Sequence, residues 1–281
     1  RAAVERFTAL THSAYAATDG IRPGQNIGVA FTDEPALPYP AWTPDLATEF
    51  PAQYGYDIRE FAPALYDSDA MGEPGKRARI DYFDWTSRRF AESYFGTLRD
   101  WCRAHGVEYI GHVIEDSGAH TCLGRGTGHY FRALSPQDMS GIDVVLHQIM
   151  PGFPDEVYSA SSASRVCDPA FFDCTLAKLG ASLAHITPHM HGRAMCEIFG
   201  AYGWAEDSAF MKRLMDHMLV RGINHFVPHA FSPTYPDPDC PPHFGAGGCD
   251  PSFDAFSALM RYTNRTAHLL AGASHIASAA L

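Results

Sequence analysis

The chain has 281 residues, 46% of them hydrophobic, enough for one sizeable core or two small domains. Its net charge of -11 argues against nucleic acid and anionic membrane surfaces as partners. No apolar run approaches the roughly 20 residues that cross a bilayer; no leader is visible before Arg1, so a removed leader and an excised domain both stay open.

Helix-period and strand-type segments alternate along the chain. Ala2 to Ala17 reads as a helix with Val4, Phe7, Leu10 and Tyr15 on one face. Ile27 to Thr32 reads as a short strand, followed by a Pro- and Gly-rich stretch with a helix at Asp45–Tyr54. A long helix is expected from Ile80 to His105, with Phe83, Phe90, Tyr94, Leu98 and Trp101 spaced about four apart and Gly106 as its stop. Val107 to Val113 is a strand, and Ile142 to Ile149 a nearly all-apolar one, as expected when both faces are covered. A helix over Pro169–Ile186 precedes a strand at Ala194–Ile198. A helix over Ser208–Arg221 ends at Gly222 and precedes a strand at Ile223–His229. A last helix runs from Phe253 to Ala271.

There are seven cysteines and none has the CxxC spacing of a zinc site. Cys167 and Cys174 flank one short loop, and Cys240 and Cys249 another, so either pair could be bridged in an oxidising compartment. Free thiols in a cytoplasmic protein are the other reading.

Alternating strands and helices imply a parallel sheet wrapped by helices. Polar residues gather where the strands end: Glu34, Glu115-Asp116, His147-Gln148, Glu197 and His229. An active site at the carboxyl ends of parallel strands is the arrangement of a (β/α)₈ barrel. Five strands are evident where a barrel needs eight. The expected fold is therefore α/β, a partial TIM-type barrel forming one catalytic domain over 1–281 that lacks its first βα units. Its two outer strands would offer open edges, to be covered by oligomerisation or by a missing barrel segment.

Phe31-Thr-Asp-Glu-Pro35 resembles the end of the fourth strand of clan A-type barrel glycoside hydrolases, where the acid/base glutamate sits. Cys196-Glu-Ile-Phe-Gly200 resembles the end of their seventh, where the nucleophile sits. Trp42 to Asp57 is similar to the segment after the catalytic strand in β-galactosidase-like and α-L-rhamnosidase-like enzymes, and Gly222 to His229 to their eighth strand. The resemblance implies strands four to eight of the barrel and cleavage of O-glycosidic bonds by Glu34 and Glu197, with a saccharide or glycoside as substrate. Asp33 stands where the clan usually carries Asn. It leaves retention, the favoured outcome, in competition with inversion.

Around that pair, Asp33, Glu115, Asp116, His120, His147, Gln148, Tyr202, Trp204 and His229 are candidates for binding sugar hydroxyls or faces. No cofactor is expected, although the Glu115-Asp116-His120 cluster could take Ca²⁺. His189-Met-His191 invites a metal reading, but it precedes a strand and so falls on the wrong side of the sheet. A carbohydrate-binding or structural barrel fragment without activity is the alternative to a glycosidase.

Overall fold

A computed structural model describes residues 1–114, 124–152, 158–160, 165–245, 249–273 and 276. The chain divides into two compact units, Arg1–Tyr109 with Gly118–Pro136, and Ile110–Ser117 with Gln137–Leu281.

The first unit is mainly helical. The expected N-terminal helix is two, α1 (Ala2–Leu10) and α2 (His12–Ala16), because Thr11 leaves helical geometry at φ -111°, ψ -81°. Phe7, Leu10 and Tyr15 of its apolar face are exposed. Strand β1 (Val29–Thr32) pairs with β2 (Glu108–Gly111), within which the chain passes from the first unit to the second. The Thr32 hydroxyl donates to the Tyr109 hydroxyl at 3.0 Å in the interior.

Helices α3 (Leu46–Tyr54) and α4 (Ala62–Tyr66) lie ahead of the long helix, which starts eight residues before its expected position. It comprises α5 (Gly72–Phe90), a π-helical segment (Ala91–Gly96) and α6 (Thr97–Ala104). Gly72, Pro74 and Gly75 look like breakers, but Pro74 falls in the first turn, where an amide hydrogen has no helical partner to lose. Gly75 is required there, since a Cβ would come within 2.2 Å of the Ala70 carbonyl oxygen. Leu46, Phe50, Ile58, Ala78, Tyr82 and Trp85 form the core beneath these helices. Tyr54 and Tyr56 close it by donating to Asp84 at 2.7 Å and Asp81 at 2.9 Å. A short helix α7 (Tyr130–Leu134), not expected from the sequence, completes the unit.

The second unit is built on a three-stranded parallel sheet of β3 (Ser140–Val144), β6 (Ala194–Ile198) and β7 (His225–Pro228), in the order β3-β6-β7. Every residue of β3 is buried, as is all of β6 except Glu197. Strand β3 starts two residues earlier than expected and ends at Val144, not at Ile149. The apolar run continues, but Leu146 and His147 take φ of 56° and 60°, which no strand accommodates. The end of β2 lies against β3: a Cβ on Gly141 would be 1.8 Å from the Gly111 carbonyl oxygen. Ile110, Met139 and Met195 pack together there.

Between β3 and β6 come a small antiparallel hairpin, β4 (Tyr158–Ala160) with β5 (Arg165–Cys167), a π-helical segment (Ala170–Leu176) and α8 (Ala177–Ile186). The hairpin is absent from the sequence reading. Helix α9 (Ser208–Leu219) links β6 to β7, its N-terminus capped by Asp207, which accepts from the Phe210 amide at 2.8 Å. Helix α10 (Phe253–Leu270) ends the unit. The protein is thus α/β with parallel strands, and among the described residues the strands close no barrel. No described helix is long and apolar enough to cross a membrane.

Candidate active site at the strand ends

Strands β3 and β6 run in parallel register, which places Asp143 opposite Glu197 and Ile142 opposite Cys196. Side chains alternate faces along a strand, so the two carboxylates share one face and Cys196 turns to the other. Asp143 is 5% exposed. The Glu197 side chain is 14% exposed, enough to meet a solute from the strand ends without being freely hydrated.

Between these carboxylates and β2 stands His112, which is fully buried. Its Nε2 lies 2.9 Å from Glu197 Oε2 and its Nδ1 lies 3.2 Å from the Val113 carbonyl oxygen. Burial pulls the imidazole toward its neutral form. The hydrogen bond to Glu197, the charges of Asp143 and Glu197 and the Val113 carbonyl together outweigh burial and lift its pKa to about 9. At neutral pH His112 thus puts a positive charge on this face. Burial pushes the Cys196 thiol the other way, far above its usual value, so it stays protonated.

The loops beyond the strands are tied to one another by their backbones. The Leu146 amide donates to Gly200 O at 3.0 Å, and the His229 amide to Ile198 O at 2.9 Å. Leu146, His147, Phe199 and Ala201 all sit at positive φ, a costly backbone for residues with side chains, gathered at the mouth of the sheet. The segment after β7 folds back over the loop after β6, with the Ala201 amide donating to Cys240 O and the Gly203 amide to Pro241 O.

The expected binding residues fall into several settings. His147 is half-buried and its ring lies 5.1 Å from that of Tyr202. Tyr202 is buried and its hydroxyl accepts from the Ile149 amide at 3.1 Å, so it braces the β3 loop and offers no open stacking face. Gln148, also buried, accepts from the Val145 amide at 3.3 Å and holds the turn that ends β3. Trp204 is 48% exposed and meets Tyr235 edge to face at 5.7 Å, with the His243 ring 6.2 Å away. His229 lies beside His243 at 5.8 Å. Asp33 and Glu34 follow β1 in the first unit, Asp33 exposed and Glu34 at φ 43°. Glu115, Asp116 and His120, with the Ca²⁺ reading that rests on them, lie outside the described residues.

His189 and His191 precede β6, as the sequence implies. His189 Nε2 donates to Gln137 O at 2.9 Å, which accounts for it structurally. Cys174, Cys240 and Cys249 are exposed free thiols, so no disulfide closes the 240–249 loop.

The sequence reading passed over His112 and Asp143. His112 follows the apolar end of β2 as Glu197 nearly ends β6, and that shared position was its one signal. Asp143 sits inside an apolar run and gave none. Glu206, at the foot of the loop after β6, was also missed. It is buried, neither carboxyl oxygen has a hydrogen-bond partner among the described residues, and burial with the neighbouring Asp207 charge raises its pKa to about 9.

No protein-family model and no curated protein matches the chain. Among solved structures it is similar to a rhamnosidase from Novosphingobium sp. PP1Y, with a TM-score of 0.67 and 20% identity. The likeness covers 96% of this chain and 24% of that one, so the chain spans about a quarter of the rhamnosidase's length. At this identity the likeness establishes the fold.

Proposed function

We propose that the chain is the later part of a (β/α)₈-barrel glycoside hydrolase, corresponding to strands four to eight, and that Glu34 and Glu197 are its carboxylate pair. The observation that carries the reading is Glu197 itself: the one partly open residue of β6, at the carboxyl end of a parallel sheet, held by a buried histidine. The fold likeness to a rhamnosidase supports the same class.

Glycoside cleavage needs one carboxyl group that gives a proton to the leaving oxygen and one carboxylate on the other side of the sugar that attacks the anomeric carbon or deprotonates a water. Glu197, whose carboxylate is held in place by the hydrogen bond from His112, suits the second role. Glu34 is assigned the first. The leaving alcohol departs with the Glu34 proton. In the attacking case Glu197 forms a glycosyl ester that water then cleaves, and Glu34 recovers its proton from that water. In the deprotonating case Glu197 takes the proton of the water directly, and bulk solvent resets both groups.

The test is turnover of a panel of aryl glycosides by the protein that carries this chain at its full length, beside Glu34→Gln and Glu197→Gln. Hydrolysis of one glycoside, lost in both variants, is the expected result. Sugar binding by the parent with no turnover of any member would move the assignment to a carbohydrate-binding protein.

A further inference from the structure

The contacts of His112 carry a second conclusion, which rests on the assignment of Glu197 to catalysis. Both ring nitrogens face oxygen acceptors, Nε2 the Glu197 carboxylate at 2.9 Å and Nδ1 the Val113 carbonyl at 3.2 Å. A neutral imidazole has one N–H and could serve only one of them unless the carboxyl group were itself protonated. The ring is fully buried, so water does not take over the unserved contact. In its own unit the charged groups acting on the ring are Glu197 on β6 and Asp143 on β3, both anionic, and the adjacent Cys196 thiol stays protonated. A cation is the form that completes this arrangement.

We propose that His112 is a positioning residue: a buried imidazolium that donates to Glu197 through Nε2 and fixes the rotamer of that carboxylate for its part in glycoside cleavage. Asp143, opposite Glu197 in register, helps to hold the charge on the ring. The pairing separates the two glutamates by role. Glu197, tied to a cation, is a poor proton donor and a good nucleophile or base. The donor is then the other glutamate of the pair.

Two variants separate positioning from packing. His112→Gln places an amide N–H near the position of Nε2, keeping a donor and losing the charge; His112→Leu loses both. In the full-length protein, His112→Gln is expected to lower kcat at least tenfold with KM changed less than about threefold, since the lost stabilisation acts at the reacting group. His112→Leu, which loses the donor as well, should lower kcat further. A folded His112→Gln whose kcat stays within about threefold of the parent overturns the proposal.

The ring itself gives a readout independent of turnover. With ¹⁵N-labelled histidine, the His112 nitrogens of the parent should both show the doubly protonated signature at pH 7.5, and Glu197→Gln should bring titration to lower pH. A neutral ring at pH 7.5 that Glu197→Gln leaves unchanged also overturns the proposal. If Glu197→Gln hydrolyses glycosides as well as the parent, the catalytic assignment fails, and the ring measurement still decides whether His112 holds Glu197 as an anion.

Discussion

Asp143 and Glu197 stand side by side on adjacent parallel strands, paired residue to residue, and His112 bonds directly to the second of them. Two carboxylates on neighbouring strands repel one another, and a cation between them and β2 offsets that repulsion. The arrangement has a pH signature. The folded pKa of His112, about 9, is above its ordinary 6.5, so its stabilising contribution is complete below pH 6.5 and is lost as pH rises toward 9. The shift corresponds to something on the order of 3 kcal/mol. Chemical denaturation at pH 6, 7.5 and 9 should show a falling midpoint in the parent and a flatter dependence in His112→Gln.

Glu206 adds to the same trend through a different cause. Its folded pKa of about 9 also exceeds its ordinary 4.5, here because burial without hydrogen bonds disfavours the anion. The folded state must therefore keep a proton that the unfolded chain has released, and stability falls as pH rises from 4.5 toward 9. Glu206→Gln should be close to the parent at pH 5 and more stable by a few kcal/mol at pH 8.5. Equal differences between parent and variant at the two pH values would show that Glu206 is ionised in the folded protein.

Gly141 is a close approach between β2 and β3. A methyl group there would lie 1.8 Å from the Gly111 carbonyl oxygen, a backbone atom that cannot swing away. Gly141→Ala should cost at least about 3 kcal/mol, or leave no folded protein, by forcing β2 and its His112 away from the sheet. Gly28→Ala, where nothing lies within 4 Å, is the control and should leave the thermal midpoint nearly unchanged.

The thiols divide by burial. Cys196 and Cys102 are buried, and burial holds the Cys196 thiol protonated; Cys174, Cys240 and Cys249 are exposed. Brief alkylation of the native protein followed by peptide mass mapping should find the last three modified and the first two protected. Cys240 should react more slowly than Cys249, since partial burial and Asp239 raise its pKa.

How far these features could be read from sequence depends on what surrounds each residue. Strand β6 was legible to the residue, because its apolar run begins after Arg193 and ends before Gly200. Glu197 was legible for the same reason, as the single charge in that run. Strand β3 was not, because Val145 to Ile149 continue its composition while positive φ at Leu146 and His147 turns the chain away. Asp143 was hidden within that run, and its role depends on a strand far along the chain. Local pattern carries no record of such pairing. The start of α5 was masked by Gly72, Pro74 and Gly75, which propensity disfavours and first-turn geometry with close packing accepts.

The sharpest expectation concerns Glu197. Glu197→Gln keeps the volume of the side chain and can still hydrogen-bond to His112, so the fold should survive, with a thermal midpoint within a few degrees of the parent. Turnover should nevertheless fall by at least about 10³-fold, because an amide neither attacks an anomeric carbon nor takes a proton from water. Small anions offer a finer test of the two glutamates. In a variant lacking the attacking carboxylate, azide or formate can enter the space and react with a glycoside bearing a good leaving group, giving the product of opposite configuration at the anomeric carbon. Rescue of that kind is expected for Glu197→Gly. For Glu34→Gln, activity should survive only on substrates whose leaving group needs no proton, such as dinitrophenyl glycosides. The reverse assignment, with anion rescue of inverted product at Glu34→Gly and leaving-group dependence at Glu197→Gln, would exchange the roles of the two residues and remove the reason for a cation beside Glu197. The configuration of the first-formed sugar from the parent, read by NMR before mutarotation, then distinguishes direct attack by Glu197, which retains it, from activation of water, which inverts it.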